Sequence, residues 1–175
     1  MAVDAHSDLR LDINPATHAH KDILANLLEL YLHDFSEIVP LEIGPDGHFG
    51  YKHLNLFWTD PQRFPFLLYV NSQLAGFVLV RRLPRESDDL GVWDMAEFFV
   101  LRGLRRRGIG SRVAREVFAR FPGPWQVRVM HSNAQARSFW SRVVHTFTGD
   151  AVPLRHVEDS GRMWVVFSFK SPPAP

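Results

Sequence analysis

One stretch constrains this chain more than any other: Glu97-Phe98-Phe99-Val100-Leu101-Arg102-Gly103-Leu104-Arg105-Arg106-Arg107-Gly108-Ile109-Gly110. An apolar, strand-like run enters an arginine-rich turn, passes two glycines and continues into a helical pattern. The first amides of such a helix lack carbonyl partners and lie at the positive end of its dipole. Glycine lets the main chain approach a ligand closely. The order of strand, basic turn, glycine and helix therefore predicts a cradle for a phosphate-bearing ligand.

The flanking pattern predicts a mixed α/β domain. Leu9, Leu11 and Ile13 alternate with polar residues, as in a strand. Asn14-Pro15 is expected to open a helical stretch whose apolar face carries Ile23, Leu24, Leu27, Leu28, Leu30 and Tyr31 and continues to Phe35. Segments 66–70 and 75–81 flank Asn71-Ser72-Gln73, a hairpin signal. Residues 84–91 read as a polar loop and 92–101 as the strand feeding the basic turn. Residues 110–121 read as an amphipathic helix closed by Pro122-Gly123-Pro124. A strand over 125–130, a short helix over 133–142 and a late strand over 163–169 complete the pattern. One domain over residues 1–170 is expected, with 171–175 a frayed tail. Residues 36–65, aromatic and punctuated by glycine, are consistent with a flap over a substrate or with a surface excursion.

Charge and composition narrow the function classes. The 175 residues carry a net charge of +1, whereas dedicated nucleic-acid binders are usually strongly basic. The absence of cysteine removes disulfides, thiolate zinc sites and thiol nucleophiles. His18 and His20, two apart on a presumed helix, do not share a face, so no metal site is expected. Residues 1–10 contain Asp4 and Asp8 and no apolar core, unlike a secretory signal. No apolar run is long enough to span a bilayer. A cytoplasmic protein without nucleic-acid or membrane partners is the expectation, as monomer or homodimer.

Two blocks give the basic turn a more specific meaning. Arg105, Gly108 and Gly110 reproduce the spacing of Arg or Gln, two residues, Gly, one residue, then Gly or Ala. Downstream, Asn133-Ala134-Gln135-Ala136-Arg137-Ser138-Phe139-Trp140 reproduces a second helix signature: Asn, Ala three residues on, then an apolar and an aromatic residue. Together they resemble the GNAT superfamily of acyl-CoA-dependent N-acetyltransferases, over roughly residues 9–148. The resemblance implies a mixed, mostly antiparallel central sheet, splayed at the cofactor site, with helices on both faces. It implies acetyl-CoA as cosubstrate. The pyrophosphate would lie on the turn formed by Arg105, Arg106, Arg107, Gly108, Ile109, Gly110 and Ser111, and the pantetheine along Phe98, Phe99 and Val100, with Asn133 and Trp140 completing the site. It also implies that the site opens where strands 92–101 and 125–130 part.

Acylation by direct attack needs a base, because alkylamines have pKa values near ~10.4. Asp94 and Glu97 on the reacting strand are the candidates. Strict alternation puts them on opposite faces, unless a bulge shifts the register. Bases in the resembled family commonly share a face with the position of Val100, which favours Asp94. The chain departs from that family at Trp140, where a tyrosine commonly serves as the acid for the leaving thiolate; indole N–H donates hydrogen bonds but is no useful acid. A Gly-Phe pair expected after the second helix is replaced by Val144-His145. His131 is an alternative acid or base, and Tyr31, Asp34, Phe35, Tyr51 and Trp58 are candidates for an acceptor pocket or, alternatively, core and loop anchors. The acceptor is expected to be a small-molecule amine, with a protein amine as rival. A degenerate acyl-CoA-binding or sensing module is the competing reading.

Overall fold

The computed structural model describes residues 9–85 and 88–173. Seven strands form one sheet: β1 (Leu11–Pro15), β2 (Arg63–Val70), β3 (Gln73–Arg85), β4 (Asp88–Val100), β5 (Gly123–Met130), β6 (Leu154–Asp159) and β7 (Arg162–Ser171). Their spatial order is β1-β2-β3-β4-β5-β7-β6, antiparallel throughout except for the parallel β4–β5 pair. Alternate side chains of the sheet feed two separate cores. On one face, Leu67, Phe77, Leu79 and Phe99 pack against α1 (Lys21–Phe35) and Phe57 of α2 (Leu56–Thr59). On the other, Phe66, Leu68, Val78 and Val80 pack against α3 (Ile109–Arg120) and α4 (Ala134–Thr148). The expected mixed sheet with helices on both faces is thus what the chain forms.

Several boundaries differ from expectation for identifiable reasons. Asn14 and Pro15 continue β1 opposite Leu67 and Phe66 rather than opening a helix; a turn of 3₁₀ helix at His18–His20 precedes α1. Proline is tolerated here because β1 is an edge strand. Ile23 and Leu30 are exposed, so α1 buries only the stripe through Leu24, Leu27 and Leu28. The supposed polar loop at 84–91 is the closing end of a long β3–β4 hairpin, with Arg85 opposite Asp88 and residues 86–87 outside the described set. The hairpin at Asn71-Ser72 is a two-residue loop with both residues at positive φ, which suits the right-handed twist of β2 and β3. Ser171 is not frayed: it pairs with Gly123, and its Oγ donates to the Phe118 carbonyl at 2.8 Å. The expectations for residues 1–8, 174 and 175 fall outside the described residues.

Two irregularities position the site. The β4–β5 ladder holds only at Trp93 opposite Trp125 and Asp94 opposite Gln126, and the strands then part. In β4, Glu97 faces Leu79 while Met95 faces Val80, leaving Ala96 as the extra residue of a bulge.

Candidate active site

Where β4 and β5 separate, a cleft of about 300 Å³ opens. Its floor is backbone and side chain from Met95, Ala96, Glu97 and Phe98 on one side and Val127, Arg128, Val129 and Met130 on the other. Tyr31 and Phe35 of α1, together with Val39, Leu41 and Tyr51 from the connection to β2, wall one end. Asn133, Ala136 and Trp140 wall the other. The segment over 36–65 thus contributes side chains to the cleft rather than only wandering over the surface.

The bulge at Ala96 reverses the expected relation of the two acids. Leu79 and Arg81 lie on one face of β3, and their partners Glu97 and Asp94 therefore share the α1 face of β4. Val100 belongs to the opposite core, so the face argument that favoured Asp94 fails. Asp94 is fully buried; it accepts from Arg81 Nε at 2.7 Å and Gln126 Nε2 at 2.9 Å, and it does not line the cleft. Its carboxylate is already paired with a cation and held by two donors.

Glu97 does line the cleft, and its two oxygens accept from Tyr31 Oη at 2.6 Å and Tyr51 Oη at 2.9 Å. Loss of hydration raises its carboxyl above the ordinary carboxylate value, partly opposed by the two phenol hydrogen bonds and the Arg81 charge. Burial, followed by the Glu97 charge, pushes both tyrosine hydroxyls well up, so both remain protonated donors near neutral pH. The side chains are held by packing as well: the Tyr31 ring stacks on Phe35 at 5.6 Å and meets Phe77 and Phe99 edgewise.

The basic turn lies beside the cleft. A Cβ on Gly110 would sit 3.3 Å from the Phe139 ring and 3.6 Å from Phe98, which fixes how closely α3 crosses these side chains. Gly108, at φ +75°, forms the left-handed N-cap of α3, and a Cβ there would meet no protein atom. No side chain caps the helix, and its first internal bond runs from Arg112 N–H to the Gly108 carbonyl at 3.0 Å. The amides of Ile109, Gly110 and Ser111 are therefore free of a capping acceptor. Arg106, at φ +63°, and Arg107 are exposed.

Arg105 departs from its expected role. Its Nη2 donates to Asp34 at 2.6 Å, its Nε to the Val100 carbonyl at 2.7 Å, and the guanidinium lies 5.5 Å from the Phe99 ring centroid. This arginine ties the turn to β4 through its Nε and to α1 through its Nη2. Asp34, considered for an acceptor pocket, is instead the shared acceptor of Arg105 and Arg102. Phe99 also differs from expectation: its ring is in the α1-side core and its carbonyl faces β3, within 2.0 Å of where a Cβ on Gly76 would fall. Strand alternation then turns the edges of Phe98 and Val100 away from β3, toward the gap.

Asn133 caps α4 by accepting from Ala136 N–H at 2.9 Å. Trp140 is buried among Phe98, Phe118 and Phe139, with ring centroids 4.9–6.2 Å away. His131 is exposed at the end of β5 and outside the cleft lining, and Trp58 packs with His18 near α2. Sequence reasoning missed Arg128, Arg162 and Trp164, which also line the cleft. Arg128 reads in sequence as the solvent-facing member of Val127-Arg128-Val129, and only the β5–β7 ladder, with Arg128 opposite Val166 and Met130 opposite Trp164, brings β7 beside it. Among the described residues no helix is long and apolar enough to cross a membrane, and no group of three His, Asp or Glu side chains could hold a metal ion.

A family model described as the acetyltransferase (GNAT) family matches residues 24–145. The structure is similar to an acetyltransferase from Thermus thermophilus, at 22% identity and TM-score 0.65, covering 93% of this chain and 97% of that one. It is similar to NAA60 of Arabidopsis thaliana in complex with acetyl-CoA, at 12% identity and TM-score 0.60, covering 92% and 98%. It also resembles the aminoglycoside acetyltransferase AAC(6')-Ib in complex with coenzyme A, at 13% identity and TM-score 0.65, covering 92% and 95%. No curated protein matches by sequence. At these identities the structural likenesses concern the fold.

Proposed function

The chain belongs to the acetyltransferase (GNAT) family, and on that premise we propose that it transfers an acetyl group from acetyl-CoA to the primary amine of a small molecule, with Glu97 receiving the amine proton. Bound acetyl-CoA supplies the thioester carbonyl that the amine attacks. The residues present fit such a ligand. The uncapped amides of Ile109, Gly110 and Ser111 suit a pyrophosphate, and the exposed Arg106 and Arg107 add charge beside them. The open edge of Phe98 and the Val100 N–H suit the amide-bearing pantetheine arm, the Val100 carbonyl being held by Arg105. Coenzyme A bound in two structural neighbours of the same fold supports this reading.

The observation that carries the proposal is Glu97 at the opening of the sheet, clamped by Tyr31 and Tyr51. An amine must be neutral to attack, and a carboxylate with a raised pKa is a better proton acceptor near neutral pH than an ordinary one. The two phenols fix its orientation and remain protonated. A free β4 amide edge is available to the developing oxyanion. The leaving thiolate needs no strong acid, since a thiol pKa is only about 8.5. Trp140 is therefore compatible with turnover. The enclosure of the cleft by Val39, Leu41 and Tyr51 favours a compact acceptor.

Thiol release from acetyl-CoA, followed across an amine panel, tests the proposal. Amine-dependent release that falls at least about a hundredfold in Glu97→Gln is expected. Trp140 in place of an acidic tyrosine favours one rival, a module that binds acyl-CoA without turnover. Tight acetyl-CoA binding with no amine-dependent release establishes that rival instead.

A further inference from the structure

The acceptor end of the cleft carries an unbalanced set of donors. Glu97 is the only carboxylate among the described residues that line it, and each of its oxygens accepts one tyrosine hydroxyl. Facing it are Arg128 on β5 and Arg162 and Trp164 on β7. Trp164 lies directly opposite Met130, and Arg162 and Arg128 are each two residues away along their own strands. All three side chains therefore project from one face of adjacent strands.

Both arginines retain hydrogen-bonding capacity toward the cleft. Arg128 gives Nη2 to Asp159 at 2.9 Å and holds its guanidinium 4.8 Å from the Trp164 ring, leaving most of its five N–H groups unused. Arg162 is exposed and makes no ion pair among the described residues. The Trp164 indole N–H is buried out of reach of the cleft, and the ring serves instead as the plane on which the Arg128 guanidinium rests. Across the cleft, Leu32, Phe35, Val39 and Leu41 offer an apolar wall.

We infer that the acceptor is an amine that also bears an oxyanion, held by Arg128 and Arg162 while its amine faces Glu97. Its carbon skeleton is apolar, to match the Phe35 and Leu41 wall. The inference rests on the acetyltransfer reading and narrows it. Polycationic amines are disfavoured, because two arginines would face their additional charges with no second carboxylate among the described residues of the lining.

The test uses the full-length protein and matched amines: amino carboxylates, their carboxamides, the corresponding decarboxylated amines, an aminoalkyl phosphonate and kanamycin. Thiol release is expected to give a kcat/KM at least about tenfold higher for carboxylate-bearing amines than for their amides, carried by the acceptor KM. The phosphonate arm tells whether a carboxylate or a larger oxyanion fits better. Arg162→Gln is expected to shrink the acid-to-amide ratio by about tenfold, and Arg162→Lys to recover part of it. Calorimetric titration of the N-acetylated acid and its amide, without cosubstrate, is expected to show the same ranking. Amides or polycations used as well as the acids, or a ratio unmoved in both Arg128→Gln and Arg162→Gln, would overturn the inference while acetyltransfer stands. Absence of thiol release with every amine removes the acetyltransfer reading. The calorimetric preference then decides the oxyanion site by itself, and equal binding of acid and amide overturns it.

Discussion

Two carboxylates three residues apart on one strand have been given opposite environments. Asp94 sits against a guanidinium and a carboxamide, as the structural counter-ion of Arg81. Glu97 sits against two neutral phenols in a poorly hydrated cleft wall, and its pKa rises. Of the two, Glu97 is the acid that lines the cleft and whose carboxyl is raised above the ordinary carboxylate value. As the proposed base, Glu97 would have to be ionised to accept the amine proton, so kcat/KM is expected to fall on the acid side at a pH above the ordinary carboxylate range. Tyr51→Phe removes a hydrogen bond that lowers this pKa, so the acid limb is expected to move to still higher pH. A pH–rate profile checks this, and a limb that stays in place in Tyr51→Phe and persists in Glu97→Gln assigns the base elsewhere. Asp94→Asn is expected to act differently. It leaves Arg81 without its charged acceptor and lowers stability by about 2 kcal/mol in urea denaturation. It also removes a negative charge that raises Glu97, so the limb moves the opposite way, toward lower pH.

At the scale of elements, two glycines separate strain in the scaffold from strain in the cradle. A Cβ on Gly76 would fall 2.0 Å from the Phe99 carbonyl, where β3 and β4 have no room to separate. Gly108 has open space but a left-handed backbone. Gly76→Ala is therefore expected to cost about 3 kcal/mol of stability, and Gly108→Ala about 1 kcal/mol with a rise in the KM for acetyl-CoA. Thermal unfolding and steady-state kinetics separate the two effects. The same elements show what a sequence reveals. The basic turn, the α3 stripe and the Asn71-Ser72 hairpin were legible because each follows from local periodicity or turn chemistry. The bulge at Ala96 was not, because a bulge exists only relative to the partner strand, and it decides which acid meets the cleft. Strand β6 escaped notice because its side chains are largely exposed and lack an apolar period. The tie from Arg105 to Asp34 was not legible, because the partner is 71 residues away on α1.

Across the whole molecule, the sheet has a seam. Strands β1–β4 and β5–β7 are joined by two paired positions, at Trp93–Trp125 and Asp94–Gln126. Beyond them the halves are held by packing, chiefly α3 and α4 against one shared core. The opposite core serves only the β1–β4 half and α1, which Asp34 ties to the basic turn through Arg102 and Arg105. A ligand that pairs with the open edge of β4 and rests on the first amides of α3 would therefore brace the place where backbone pairing is missing. At a hundredfold excess over its Kd, such a ligand stabilises the folded state by about 2.7 kcal/mol. For a chain of this size that corresponds to a rise in Tm of roughly 5–10 °C. Hydrogen exchange is expected to locate the gain. Amides of Phe98, Val100 and residues 109–111 should become protected on adding acetyl-CoA, while those of β2 and of the β2-facing edge of β3, already paired, should change little. Protection spread evenly over the sheet, or confined to β1 and β2, would place the ligand somewhere other than the seam.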